Sequence, residues 1–399
     1  MQPFHDVRVL DLTRVVSGPY CTQTLGLLGA EIIKVEDRME GDATRAGIGI
    51  SELKKDGLAA TFIMFNAGKK SLTLDLKKTE AKEVVKRLAR GCDVVVENFR
   101  PGAAQRLGLD YASLKQENPR LIYCSISGFG QTGPDARAPA FDGNIQAASG
   151  IMAMTGEPDG SPMRAGFSVC DTSTGLNAAL AIAAALYQRK ETNEGQCIDV
   201  SMLDSGISLA SQTVGAWLNG GVVQPRRANM AINFEPTADV YDTSEGAMIL
   251  AVMRDEHVKL LLRTIGLAHL ADDPRFANRE ERVRNSAFIR PLIQDALMQG
   301  TSHEWEAKLD TAGIPCSRIL EIPDALTQPQ VKHRGLVQEM IDAKTQQPMR
   351  MLNAPFLYAH DSPRPSGPPP RLGEHSREIL KTAGYSDEEI DALAHNEVI

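Results

Sequence analysis

Predicted strands and helices alternate along the first two hundred residues, and this alternation restricts the fold more than any other feature. Helices are expected over residues 18–28, 79–89 and 171–190. The expected strands are VRVLDL (7–12), EIIKVE (31–36), SLTLDL (71–76), DVVVEN (93–98), RLIYCSIS (120–127) and QCIDVSML (196–203). Strands that alternate with helices form parallel sheets covered by helices on both faces. The sequence therefore predicts an α/β domain built on a parallel sheet.

The pattern changes after about residue 210. An irregular stretch over 225–243 is followed by an expected strand at 246–253, by helical patterns to about residue 312, and by a short strand at 314–320. A mixed order of this kind is typical of an α+β unit rather than of a continuing parallel sheet. We expect a smaller α+β domain over residues 225–325.

Charge and cysteine content exclude several classes of function. The formal net charge of −8 disfavours a nucleic-acid surface. The six cysteines form no CxxC pair and have no neighbouring histidine cluster, which predicts reduced thiols and neither a metal site nor a disulfide framework. The N-terminus lacks a signal pattern, and the apolar run over 176–187 is shorter than the ~20 residues of a membrane span. We expect a soluble cytoplasmic protein that binds neither membrane nor nucleic acid.

The segment SISGFGQTGP (125–134) has the glycine spacing of a dinucleotide-binding loop, at Gly128, Gly130 and Gly133. Such a loop should open a long helix whose N-terminal amides hold the pyrophosphate. Pro134 and Pro139 follow instead, and they disfavour that helix. Two interpretations remain: a surface loop, or a loop whose backbone approaches a ligand closely because glycine has no Cβ.

Asp171 precedes an alanine- and leucine-rich run in GFSVCDTSTGLNAALAIAAALYQRK. Aspartate is a preferred helix N-cap, so a purely structural role explains this segment. The same helix start would also keep a carboxylate ionised, and beside a substrate carbonyl that carboxylate becomes a candidate nucleophile. No histidine is near in sequence, and no G-x-S-x-G motif is present. The residues alone leave both roles open.

Basic residues follow or precede several predicted strands. Ligands of open α/β sheets bind at strand ends, and several cations together suit a polyphosphate. Each residue taken singly is equally consistent with a solvated surface. The candidates are Lys34, Arg38, Arg45, Lys69, Lys70, Arg100 and Arg106.

Nine segments, taken in order, resemble the class III coenzyme A transferases, the family of formyl-CoA transferase and carnitine-CoA transferase. The resemblance runs from near residue 7 to the C-terminus. The segments are VLDLTRVVSGPYCTQTLGLLGAEIIKVEDRMEGDATR, KKSLTLDLK, VVVENFRPGAAQRLGLDY, SISGFGQTGP, FDGNIQAASGIMAMTG, DTSTGLNAALAIAAALYQR, GQCIDVSMLD, GIPCSRI and LGEHSREIL.

The resemblance implies a fold and a site. The fold has a Rossmann-like large domain made from residues 1–210 and 326–399, with the small domain over 225–325, and two ring-like chains interlock as a homodimer. The site has Asp171 as covalent nucleophile, since it matches the aspartate of the family's G-x-x-x-D-x-x-x-G segment. Coenzyme A and its thioesters are implied as substrates, with no permanent cofactor and no metal. The residues that match cofactor-holding positions are Val16, Arg38, Leu72, Asn98, Phe99, Arg106, Gly128, Phe129, Gly130 and Gln131.

Two other activities remain open within the resemblance. The α-methylacyl-CoA racemases share the fold but carry a histidine before the aspartate in the segment AFDGNIQAASG, where this chain has Phe141 before Asp142. A non-catalytic CoA-binding protein is the other alternative, and the intact Asp171 argues against it. Formyl-CoA transferases carry glutamine at the position of Val16 and a glycine run in the small domain, and this chain has neither, which disfavours formyl and oxalate exchange. Arg226 and Arg227 are candidates to meet a dicarboxylate acceptor such as succinate.

Overall fold

The computed structural model describes residues 1–47 and 58–399, and this part of the chain divides into two compact units. The large unit contains residues 1–151, 164–222 and 329–399, and the small unit contains residues 152–163 and 223–328. Residues 152–163, which the sequence places inside the large domain, thus pack with the small one.

Six parallel strands form the sheet of the large unit, in the order β3-β2-β1-β4-β5-β6. Each coincides with a strand expected from the sequence, which confirms the α/β class and the parallel sheet. The strands are β1 (Arg8–Asp11), β2 (Glu31–Glu36), β3 (Lys70–Thr73), β4 (Val94–Glu97), β5 (Ile122–Ser127) and β6 (Cys197–Ser201).

Helices cover both faces of this sheet. The helices up to residue 222 in the described part of the chain, of which α7 lies mostly in the small unit, are α1 (Ser17–Leu27), α2 (Ala60–Asn66), α3 (Thr79–Arg90), α4 (Ala103–Leu107), α5 (Tyr111–Glu117), α6 (Asp142–Ala148), α7 (Ile151–Met154), α8 (Val169–Thr192), α9 (Met202–Leu209) and α10 (Ser211–Gly220). One face of the sheet packs in a core with Val84, Val85 and Leu114, and the other packs with Leu25 and Ile182. Because both faces are buried, the strands are apolar runs rather than alternating ones.

The small unit has a core of its own around an antiparallel sheet in the order β7-β8-β9. Tyr241, Leu261 and Trp305 belong to this core. Arg282 is wholly buried beside it and pairs with Glu235. The elements are β7 (Val240–Asp242), β8 (Ala247–Leu250), α11 (Asp255–Thr264), α12 (Arg279–Arg284), α13 (Ser286–Leu297), α14 (Ser302–Thr311), β9 (Cys316–Arg318) and α15 (Ile322–Thr327).

The last seventy residues return to the large unit. They form α16 (Pro329–His333), the antiparallel hairpin β10 (Val337–Ile341) and β11 (Pro348–Leu352), α17 (Ser376–Thr382) and α18 (Asp387–His395). The side chains of Leu380 and Val398 lie in the same core as Leu72, and the Asp75 amide donates to the Val398 carbonyl at 2.9 Å. The core of the large unit therefore includes residues more than three hundred positions apart.

Helix α8 is long and apolar enough, by length and composition alone, to cross a membrane. Ala178, Ile182 and Leu186 on one of its faces pack against the central strands, so α8 is a core helix of the sheet. Leu180 and Tyr187 on α8 are exposed, as are Trp217 and Leu218 on α10. The large unit thus carries uncovered apolar side chains on two helices.

Candidate active site

A cleft of about 290 Å³ opens where β1, β4 and β5 end. Strand β1 lies between β2 and β4, so this is the place where the strand order reverses, and open α/β sheets bind ligands at such a point. Residues 14–17 after β1, Asn98 and Phe99 after β4, and Gly128 after β5 line the cleft together with Asp171. Five of the predicted site residues, Val16, Asn98, Phe99, Gly128 and Asp171, are therefore brought together.

Asp171 lies in the first turn of α8 and is not its N-cap, because the helix begins at Val169 after Ser168. The cap comes from Asp142 at the start of α6, whose Oδ1 accepts the backbone N–H groups of Cys170 at 2.8 Å and of Asp171 at 3.2 Å. Of the two roles that the residues left open for Asp171, the structure does not give it that of helix cap. Its carboxylate is left available for another purpose.

Burial, and to a smaller extent the nearby charge of Asp142, raise the pKa of Asp171 to about 7 against the opposing effect of the Ser17 hydroxyl. A carboxyl group that titrates near neutrality, beside a second carboxylate and facing a cleft, is typical of a functional site. Within residues 1–47 and 58–399, Asp142 and Ser17 are the residues that influence the pKa of Asp171. The sequence offered no signal for Asp142 except its place beside Phe141, and Phe141 is exposed.

The loop after β5, residues 128–133, needs glycine at three positions for steric and conformational reasons. A Cβ at Gly128 would collide with that of Ala140, and Gly130 and Gly133 have φ of 88° and 100°, values that favour glycine. The amide of Gln131 donates to Asp199 Oδ2 at 2.9 Å. Phe129 packs against the small cluster of Ile145, Cys170 and Met202 rather than lining the cleft. These contacts hold the loop in one conformation beside the cleft. Of the four predicted loop residues, Gly128 is the one that lines the cleft.

The remaining predicted cofactor residues differ in accessibility. Arg106 is exposed on α4, and Arg38 is partly exposed and pairs with Glu397 at 3.4 Å. Leu72 has no accessible surface, because it lies in the core beneath the sheet, so its expected contact with the cofactor is not supported. Arg100, which lines the cleft, is an additional cation at the same strand ends.

Three of the candidate phosphate-binding cations form buried salt bridges instead. Lys34 pairs with Asp42 at 3.0 Å, Arg45 with Glu36 at 2.6 Å, and Lys69 with Asp11 at 3.0 Å, and all six side chains are buried. Lys70 forms salt bridges to Glu31 and Glu378. Of the seven basic residues singled out by the sequence, Arg38, Arg100 and Arg106 remain accessible candidates.

Comparisons with a family model, with curated proteins and with solved structures all point to the same family. The family model described as CoA-transferase family III matches residues 4–376. The chain is 38% identical to succinate–glutarate CoA-transferase of Agrobacterium fabrum, over 95% of each chain. It is 35% identical to acetyl-CoA:oxalate CoA-transferase of Acetobacter aceti, again over 95% of each. The crystal structure of a CAIB/BAIF family protein from Brucella suis superposes with a TM-score of 0.87 at 35% identity, covering 96% of this chain and 99% of the other.

Proposed function

The chain belongs to CoA-transferase family III and moves coenzyme A between an acyl-CoA thioester and a free carboxylic acid, and we propose that it does so through a covalent intermediate on Asp171. The observation that carries this proposal is the position of Asp171. It lies in the first turn of α8 and lines the cleft, and Asp142 rather than Asp171 caps the helix.

Every bond change in the proposed route takes place at a carbonyl carbon. An Asp171 oxygen attacks the thioester carbonyl, the carbon–sulfur bond breaks, and the coenzyme A thiolate leaves a mixed anhydride. The thiolate attacks the Asp171 carboxyl carbon and releases the donor acid, giving an aspartyl-CoA thioester. The acceptor carboxylate then reverses both steps, which regenerates the Asp171 carboxylate. No net proton transfer is required, and splitting one transfer into several steps is the usual gain of nucleophilic catalysis.

The start of helix α1 supplies donors for the oxyanion that forms at each step. Helix α1 begins at Ser17, which lines the cleft, whereas the Cys170 and Asp171 amides of α8 already donate to Asp142. The first N–H groups of a helix have no partner within the helix and carry a partial positive charge. The Ser17 and Gly18 amides at the start of α1 are therefore candidates to stabilise the developing charge.

We propose that coenzyme A lies along the cleft and the strand ends beside it. Val16, Asn98, Phe99 and Gly128 line the cleft, where the thioester end would bind. Phosphates suit guanidinium groups, so the accessible Arg38, Arg100 and Arg106 are the proposed polyphosphate contacts. Phe129, Gly130 and Gln131 would support this site by fixing the loop that carries Gly128.

We propose that the acceptor is a short dicarboxylic acid. Glutarate and oxalate, which appear in the names of the relatives, each carry two carboxylates. Arg226 is engaged with the backbone carbonyls of Glu157 and Gly160. Arg227 lines a cleft of about 440 Å³ in the small unit, and among residues 1–47 and 58–399 no partner is found for its buried Nη1. Arg227 is therefore the better of the two arginines for binding a carboxylate.

We propose that the working form is an interlocked homodimer in the cytoplasm. The exposed Leu180, Tyr187, Trp217 and Leu218 on α8 and α10 are large apolar side chains that a second copy would cover. All six cysteines are free thiols, in keeping with a reducing compartment.

Trapping tests the proposed chemistry directly. The enzyme is incubated with acetyl-CoA or succinyl-CoA, quenched with hydroxylamine, and digested for mass spectrometry. We expect a hydroxamate on the peptide that contains SVCDTSTG. An adduct on any other residue would refute the role of Asp171.

A further inference from the structure

The loop that joins β1 to α1 has a strained backbone next to Asp171. Val15 has a φ of 71°, a left-handed conformation that β-branched residues rarely adopt. Its neighbours Val16 and Ser17 line the cleft together with Asp171. Strained residues persist only where the surroundings hold them, and they concentrate at functional sites.

Side chains from neighbouring elements hold Thr13, Arg14 and Val15 of this loop by their backbone groups. Asp11 Oδ1 accepts the Thr13 amide at 2.9 Å, and Lys34 Nζ donates to the Thr13 carbonyl at 2.9 Å. Asn98 donates to the carbonyl of Arg14 and accepts its amide, both at 2.8 Å. Asp42 accepts the Val15 amide at 3.2 Å. The loop is therefore fixed at three successive residues.

The charged residues of this clamp do not line the cleft. Lys34 and Asp42 are wholly buried and pair at 3.0 Å, and Asp42 also accepts the amide and hydroxyl of Thr44. A buried ion pair of this kind is a weak source of net stability, because desolvation offsets most of the attraction. It does impose a fixed geometry on the backbone that it holds.

The start of α1 has no room to shift without affecting α8. A Cβ placed on Gly175 of α8 would lie 2.6 Å from the Ser17 carbonyl oxygen, so the two helices touch at this point. A Cβ on Gly18 would collide with the Thr13 side chain. A change in the backbone of Val15 is therefore passed on to Ser17, and from Ser17 to the carboxyl group of Asp171.

We propose that Val15 and the buried Lys34–Asp42 pair are positioning residues, which fix the start of α1 so that Ser17 orients the Asp171 carboxylate towards the thioester. This inference rests on the proposed nucleophilic role of Asp171. The strained conformation of Val15 lowers the free energy of unfolding. In return it holds the Ser17 hydroxyl and the first amides of α1 in a fixed position relative to that carboxylate. Val15 itself takes no part in a bond change.

The test replaces Val15 by glycine, which adopts the left-handed region without strain. We expect Val15→Gly to keep or raise the melting temperature and to form the Asp171 adduct at least tenfold more slowly in a single turnover at saturating acyl-CoA. Gln346→Gly is the matched control, because Gln346 has a φ of 54° in the turn between β10 and β11. It should leave the rate unchanged. A melting temperature that falls in Val15→Gly, or adduct formation at the wild-type rate, overturns the proposal.

A second variant makes the result independent of Val15. Asp42→Asn keeps the shape of the side chain and removes the charge that faces Lys34. We expect kcat to fall while KM for the acyl-CoA stays the same, because neither Asp42 nor Lys34 lines the cleft. An equal loss of coenzyme A affinity and rate would overturn the proposal. Asp171→Asn is measured in parallel: if it still transfers coenzyme A, the proposed function fails, whereas an inactive Asp171→Asn beside a fully active Val15→Gly refutes only the positioning role.

Discussion

The carboxylate of Asp142 accepts the backbone amide of Asp171 at 3.2 Å, so one acidic residue caps the helix that presents another. The arrangement has two opposite effects. The hydrogen bond fixes the first turn of α8, and the negative charge makes ionisation of Asp171 harder. Gln146 donates to the other Asp142 oxygen at 2.5 Å and holds the capping carboxylate in place. Several measurable consequences depend on this pair.

Asp171→Asn should lose coenzyme A transfer by roughly three orders of magnitude or more, because an amide cannot form the anhydride. The same variant should be more stable than the wild type at pH 8. The pKa of Asp171 is raised in the folded state, so the wild type loses stability as pH rises from about 4 to about 7, and the uncharged amide does not. Thermal unfolding at pH 5 and pH 8 checks this, and the gain should be larger at pH 8. Near-normal turnover would contradict the nucleophilic role.

The rate of adduct formation should rise with pH through a midpoint near 7, because only the ionised Asp171 attacks the thioester. Asp142→Asn removes the neighbouring charge, so the midpoint should move to lower pH. The asparagine oxygen can still accept the Cys170 amide, which keeps the cap. Single-turnover rates between pH 5 and 9 give both midpoints. An unchanged midpoint in Asp142→Asn would show that Asp142 does not govern the ionisation of Asp171.

Gly175→Ala should lower both stability and activity. Alanine ordinarily stabilises a helix relative to glycine by about 1 kcal/mol. Here the new methyl group would lie 2.6 Å from the Ser17 carbonyl, and we expect a net loss of roughly 1–3 kcal/mol. Gly367→Ala is the control, because its methyl group would meet no atom within 4 Å. Denaturant unfolding of both variants decides the matter, and a stabilised Gly175→Ala would disprove close contact between α1 and α8.

Arg227→Ala should raise KM for dicarboxylic acceptors at least tenfold, because it removes a guanidinium group with an unused donor. Monocarboxylic acceptors serve as the internal control and should be unaffected. A panel of acids that includes oxalate, succinate, glutarate and acetate, assayed by mass spectrometry of the acyl-CoA products, measures the change. An equal rise in KM for dicarboxylic and monocarboxylic acids would show that Arg227 does not recognise the second carboxylate of the acceptor.

Sedimentation at low micromolar concentration should give twice the chain mass. The prediction follows from the exposed apolar side chains of α8 and α10, which a monomer would leave in water. Leu218→Asp, which places a charge on this surface, should reduce the yield of folded protein. A stable folded monomer of the wild type would contradict the interlocked homodimer.

The central sheet could be predicted from sequence because each of its strands is a short apolar run between turn residues. Asp171 was found through resemblance, since its own segment is equally typical of a helix cap. The Asp142 cap could not be predicted, because it joins residues that are 29 positions apart through a fold that local patterns do not describe. Burial of Leu72 could not be predicted for a related reason: a match to a family position does not reveal whether the side chain is accessible. The β10–β11 hairpin was missed because Val337, Ile341 and Leu352 are exposed, so its strands lack the alternation of apolar buried and polar exposed residues.

The hydrogen bond between Asp75 and Val398 joins the two ends of the large unit, so this unit cannot complete its folding until the C-terminal residues have been synthesised. Residues 223–328 are contiguous apart from one short segment that precedes them, so the small unit can fold as soon as it leaves the exit tunnel. The large unit begins first but must wait for α17 and α18, since Leu380 and Val398 complete its core. At roughly 5–20 residues per second, the growing chain exposes the uncovered sheet face for several seconds or longer after the small unit is finished. Nascent chains are thus most open to chaperones, and to aggregation, on the side of the sheet that the C-terminal helices later cover.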